Sequence, residues 1–152
     1  MTNKEPNSNA SSSGTSMPVG WLQVEPGVRF KVLVSSEQSA GAYACLEMVA
    51  QKGTGSTVHI HHNEDEHFLV LEGTAHLALG DSRVDLPAGR TMTLPRGVPH
   101  AWSNISETPL RLIALFNPGG FDRLCIEMAS PDRVDRSEIR SRFGLETVGP
   151  RI

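Results

Sequence analysis

His59 and His61 stand two residues apart in the stretch Val58-His59-Ile60-His61-His62-Asn63-Glu64-Asp65-Glu66-His67. On an extended strand alternate residues share a face, so both imidazoles can enter one cavity while Ile60 and His62 turn away. Glu66 opens the next strand after a short loop, on the face shared with Phe68 and Val70. His100 comes more than thirty residues later, after the turn-rich run Pro95-Arg96-Gly97-Val98-Pro99, and leads into another strand. Three imidazoles and one carboxylate converging from adjacent strands make a donor set for one divalent transition metal ion. The set is not selective, and Fe, Mn, Ni, Co and Zn all suit it.

The elements that must position these side chains are short strands. Arg29–Val34, Ala42–Ala50, Val58–His62, His67–Glu72, Thr74–Leu79, Ser82–Leu86, Thr91–Leu94, Ala101–Asn104 and Leu110–Phe116 all read as strands. Gly73, Gly80-Asp81, Pro87-Ala88-Gly89 and Pro95-Arg96-Gly97 punctuate the gaps. Closely spaced strands without intervening helices predict an all-β antiparallel sandwich or barrel. The tail differs. Phe121, Leu124, Cys125 and Met128 fall at helical spacing within Gly120–Ala129, and Pro131 ends that helix. A second helix is expected from about Asp135 to Phe143, with Ser137 and Glu138 in its first turn and Gly144 as its stop. Both helices are expected to cover one opening or face of the barrel. At the other end, residues 1–18 are rich in Ser, Asn, Thr and Gly, have little to bury, and are expected to be disordered.

The spacing also resembles a known family. Gly53, five residues, His59, one residue, His61, four residues, Glu66, six residues, Gly73 is similar to the first cupin motif in full. Gly89, five residues, Pro95, one residue, Gly97, two residues, His100, three residues, Asn104 is similar to the second. The resemblance implies a cupin double-stranded β-helix, a jelly-roll barrel, over residues 19–152, with the short helical extension from about residue 120. It implies that His59, His61, Glu66 and His100 are metal ligands. The glycines, Pro95 and Asn104 have turn and strand-end roles and no chemistry is assigned to them.

Within the cupins the chain resembles single-domain proteins similar to quercetin dioxygenases. The resemblance is carried by His59–Glu66, Leu71-Glu72-Gly73, Leu94–His100, Leu115–Phe121 and Phe143–Pro150. It implies a metal-dependent dioxygenase of a small enol, diketone or flavonol-like compound, with Glu66 also the base for the enol proton. A divalent ion on three neutral imidazoles and one carboxylate keeps a net charge of about +1 and open positions for a substrate oxygen. Two other classes stay open: a non-redox isomerase or polyketide-type cyclase using the ion as a Lewis acid, and a small-molecule binding module without turnover. Oxygen uptake separates the first two, and product formation separates both from the third.

Other residues read more plainly. Trp102 shares the face of His100 and Phe68 that of Glu66, so both are candidates to line the pocket, although core packing explains either. His62 and His67 are expected to face away from the ligands and His76 to face out. Glu64 and Asp65 read as a solvated acidic turn at the rim. Cys45 and Cys125 read as reduced structural thiols. A formal net charge of −3 gives no electrostatic reason for a nucleic-acid or anionic-membrane partner. No apolar run reaches a membrane span, and the N-terminus lacks a signal-peptide core, so a cytoplasmic protein is expected. The partners expected are a small-molecule substrate and, as in small cupins that pair sheets, a second copy docked on a face such as Val28–Val34.

Overall fold

A computed structural model describes residues 20–132 and 135–152 of the 152-residue chain. The expected disordered tail, residues 1–18, and the boundary at residue 19 lie outside the described residues. The strands are β1 (Leu22–Glu25), β2 (Val28–Val34), β3 (Ala44–Ala50), β4 (Thr57–His61), β5 (Asp65–Glu72) and β6 (Thr74–Leu79). They continue as β7 (Ser82–Pro87), β8 (Thr91–Leu94), β9 (His100–Ser103), β10 (Leu110–Asn117) and β11 (Leu145–Arg151). The helices α1 (Phe121–Met128) and α2 (Arg136–Arg142) lie between β10 and β11.

Two antiparallel sheets face each other, in the orders β1-β2-β3-β10-β5-β8 and β11-β4-β9-β6-β7. Between β4 and β10 the chain crosses from one sheet to the other at nearly every connection, which is the jelly-roll path. Period-two alternation decides which side chains enter the core. On β10, Leu110, Leu112, Ala114 and Phe116 are fully buried, while Arg111, Ile113 and Leu115 between them are partly exposed. Leu46 and Met48 of β3, Phe68 and Val70 of β5, Leu77 of β6 and Leu94 of β8 complete the core between the sheets. Removing a side chain such as Leu112 from this packing costs about 2–5 kcal/mol.

Both helices form where the apolar spacing and caps place them. α1 buries Leu124, Cys125 and Met128 against the core. Asp135 caps α2, its Oδ1 accepting from the Ser137 and Glu138 N–H groups at 2.9 and 3.4 Å. Gly144 ends α2 with φ of 70°, and a Cβ there would lie 2.4 Å from Asn63 Nδ2, so no other residue fits without displacing that side chain.

The sheets also contain two strands beyond those expected from the sequence. β1 pairs with β2, and β11 pairs with β4 in the register Leu145↔His61 and Thr147↔His59. The chain therefore ends in a strand rather than a helical extension alone. β11 carries Gly149 and Pro150, so its own propensity is poor, and most of its residues are exposed. It is a strand because β4 offers an unpaired edge. Among the described residues no helix is long and apolar enough to cross a membrane.

Candidate metal centre

Two strands of one sheet and one of the other bring the four expected donors together. His59 and His61 project inward from β4 and His100 from β9. His59 and His100 are direct cross-strand partners, with ring centroids 4.5 Å apart. Glu66 enters from β5 of the facing sheet, its Oε2 lying 3.2 Å from His100 Nε2 and 3.6 Å from His61 Nε2. One donor atom from each of His59, His61, Glu66 and His100 lies within 4.8 Å of the others. Donors about 2.0–2.2 Å from a shared ion stand at most about 4.4 Å apart, so the cluster is close to the size such an ion requires.

Each imidazole is oriented by its outer nitrogen. His59 Nδ1 lies 2.7 Å from the Thr57 carbonyl, His100 Nδ1 2.9 Å from the Val98 carbonyl, and His61 Nδ1 3.0 Å from Glu64 Oε1. Nδ1–H donation in all three places the Nε2 lone pairs toward the centre, the tautomer a metal requires. The donor set therefore fits a divalent transition ion in chemistry and orientation as well as in count.

Electrostatics agree. All four side chains are buried. Burial, then the nearby His100 and His61, lower the His59 pKa to about 4, which keeps that ring neutral near pH 7. Burial alone would raise the Glu66 carboxyl, but the His100 hydrogen bond and the three imidazoles outweigh it and hold Glu66 below its ordinary value. Burial disfavours charge on His100, yet the Glu66 hydrogen bond and charge carry its pKa above the ordinary value. The Glu66 carboxylate and His100 Nε2 thus face each other at 3.2 Å across the centre.

The turn before His100 is tied to the neighbouring strands. Gly97, at φ 76°, donates its N–H to the His61 carbonyl at 2.8 Å. Arg96 grips Asp65 through Nε and Nη2 at 3.2 and 3.1 Å, and its main-chain N–H reaches the same carboxylate at 2.9 Å. That pairing, first through the Arg96 side chain, holds the Asp65 carboxyl below its usual range. Asn104 is fully buried and clamps the chain after β9, donating to the Ala50 and Thr108 carbonyls at 3.0 and 2.9 Å.

One sequence expectation fails in part. Glu64 is not solvated but 6% exposed beneath His61, whereas Asp65 keeps a solvent-accessible place at the rim, beginning β5 in the grip of Arg96. Loop direction, invisible to alternation, buries Glu64. Phe68 does share the inward face of Glu66, but it sits deeper, in the core between the sheets. The cavity beside the donors measures about 70 Å³ and is walled by Trp102, Phe121, Leu124 and Met128 together with His59, His61 and Glu66. Phe121, the first residue of α1, stacks on Phe116 at 3.9 Å and stands 5.4 Å from the His61 ring. Its helical spacing announces burial but not the partner.

The remaining residues lie apart from the site. His62, His67 and His76 face outward and pair with Glu146, Thr93 and Asp85. Cys45 and Cys125 are free thiols, and burial pushes Cys125 well above its ordinary pKa, which keeps it inert.

Comparison with known proteins agrees with this architecture. A family model described as "Cupin domain" matches residues 46–116. The chain is 32% identical over 71 residues to mannose-1-phosphate guanylyltransferase 2 of Escherichia coli O157:H7, a match covering 47% of this chain and 15% of that protein. The chain thus spans a small part of the length of that curated relative. Among solved structures, KdgF from Halomonas sp. superposes with a TM-score of 0.62 at 23% identity, covering 68% of this chain and 90% of that one. An RmlC-like cupin from Shewanella frigidimarina gives 0.58 at 22% identity, covering 68% and 87%. At these identities the likeness establishes the fold, and function must come from the site.

Proposed function

We propose that this chain, which carries a cupin domain on a cupin fold, is a metal-dependent enzyme acting on a small enolisable compound, and that its reaction is a dioxygenation. The observation that carries the proposal is the pairing of a buried, ionised Glu66 with three inward Nε2 atoms beside a cavity whose wall is mostly apolar. His59, His61, Glu66 and His100 would hold the ion. When bound, such an ion supplies Lewis acidity toward a substrate oxygen and, if redox-active, electrons for O₂ chemistry.

The residues of the chain do the rest. Glu66 offers a carboxylate oxygen as acceptor for an enol proton, within the reach a general base needs. Trp102, Phe121, Leu124 and Met128 give the cavity an apolar wall beside the donors, and an apolar wall strengthens the charge interactions next to it. The cavity is well below the roughly 300–1,000 Å³ of a drug-sized site, which favours the enol or diketone end of a small molecule over a flavonol-sized ring system. The oxygenase step draws its support from the motif resemblance to quercetin dioxygenase-like proteins.

An oxygen electrode tests the proposal directly. Protein reconstituted with Fe, Mn, Ni or Co should consume O₂ with a small enol or diketone, and the Zn form should be far slower. The Glu66→Gln variant should lose more turnover than metal. Equal turnover with Zn and without O₂ would replace the oxygenase with a Lewis-acid isomerase or cyclase.

A further inference from the structure

Outside the metal cavity lies a wider pocket of about 410 Å³ formed by β1, β4, α1, α2 and β11. Glu25, Met128, Arg140 and Leu145 line both spaces, so the two adjoin and the Glu25–Arg140 ion pair stands on their common wall. The outer lining is unbalanced in charge: Arg136, Arg140 and Arg151 share it with Glu25. Arg140 Nη2 is 3.1 Å from Glu25 Oε1 and Arg151 Nη2 is 2.6 Å from Glu25 Oε2, so one carboxylate serves two guanidiniums. Arg136 directs Nη2 to the Val24 and Met128 carbonyls, which neutralise no charge. Three cations against one anion meet at this pocket on a chain whose formal net charge is −3. An ion pair that merely closed the barrel would need one cation for its carboxylate.

We propose that this outer pocket binds the carboxylate tail of the substrate whose enol end enters the metal cavity, which makes the substrate class a small enol or diketone acid. The inference rests on the cavity being the substrate site argued above. Arg140 and Arg151 are the receiving groups, since a guanidinium binds a carboxylate through paired, charge-assisted hydrogen bonds. Both are reachable, with side chains 26% and 54% exposed. Glu25 holds the two arginines in place when no anion is bound, and it opposes the incoming carboxylate by like charge. Removing that charge therefore favours the ligand, whereas removing either arginine disfavours it.

Calorimetric titration of the Zn-loaded protein under nitrogen tests this without turnover. The probes are 4,6-dioxoheptanoate, a diketone with a carboxylate tail, and its neutral methyl ester. A charged hydrogen-bonded contact supports an acid preference of roughly tenfold or more in the wild type. That preference should shrink in Arg151→Gln, grow in Glu25→Gln and weaken with added salt, while the ester responds to none of these. The Arg151 side chain is half exposed, so its variant should fold even where an Arg140→Gln chain does not. Equal affinity for acid and ester, no binding of the acid, or a preference untouched by both Arg151→Gln and salt overturns the proposal. An acid preference without O₂ consumption would leave the anion pocket standing and remove the dioxygenase. Oxygen consumption with no acid preference would do the reverse.

Discussion

Replacing Glu64 by Ala should weaken metal binding although Glu64 is not one of the four donors. Its Oε1 lies 3.0 Å from His61 Nδ1, with the two side chains 7% and 2% exposed. Truncation leaves a buried N–H without a partner, which costs about 1–3 kcal/mol. The ring can relieve that cost by moving its proton to Nε2, the atom the ion needs. Loss of an outer partner of a ligating histidine typically lowers metal affinity about 10–100-fold, or about 1.4–2.7 kcal/mol at 1.36 kcal/mol per decade. The two magnitudes agree because they describe the same hydrogen bond. Glu64→Gln keeps a neutral acceptor oxygen and should lose less, since a charge-assisted bond is about twice as strong as a neutral one. Competition against a chromophoric chelator at neutral pH reads the affinity, and thermal denaturation of the metal-free protein reads the orphaned N–H. His67→Ala, on the outer face, serves as the control that should change nothing. Wild-type affinity together with unchanged stability in Glu64→Ala would refute the assignment.

Four further outcomes follow from the same geometry. His100→Ala removes a donor and should abolish stoichiometric metal binding, and full occupancy by elemental analysis would sink the ligand set. His59 has its folded pKa lowered from 6.5 to about 4. The metal-free protein should therefore hold this stability above pH 6.5 and lose up to about 3 kcal/mol as pH falls from 6.5 toward 4, a loss that chemical denaturation should detect and that a His59→Phe chain should not show. Gly144→Ala must place a side chain at positive φ against Asn63 and should cost about 1–2 kcal/mol from backbone conformation alone, read as a lowered denaturation midpoint. The expected homodimer would cover outward leucines such as Leu33, Leu69 and Leu71, each 37–42% exposed, and a light-scattering mass of a single chain at micromolar concentration rules it out.

Much of this protein is legible in its residues because the governing rules are local. A two-residue spacing on a strand puts His59 and His61 on one face wherever that strand goes, and the turn Pro95–Pro99 can only deliver His100 to a strand start. The nine central strands follow from apolar alternation between glycine and proline breaks, and both helices follow from spacing and caps. Other features depend on contacts distant in sequence. β11 is a strand because it completes the edge of β4, and nothing in Leu145–Arg151 alone requires it. Glu64 became the partner of His61 through the reversal of one loop, and Phe121 became a wall of the cavity as α1 packed on β1 and β3 and its ring stacked on Phe116. The charge arrangement at Glu25, Arg136, Arg140 and Arg151 joins residues more than a hundred positions apart. Only the folded chain pairs two guanidiniums with one carboxylate and brings a third to the same pocket, since electrostatic interaction depends on separation in space and not along the sequence.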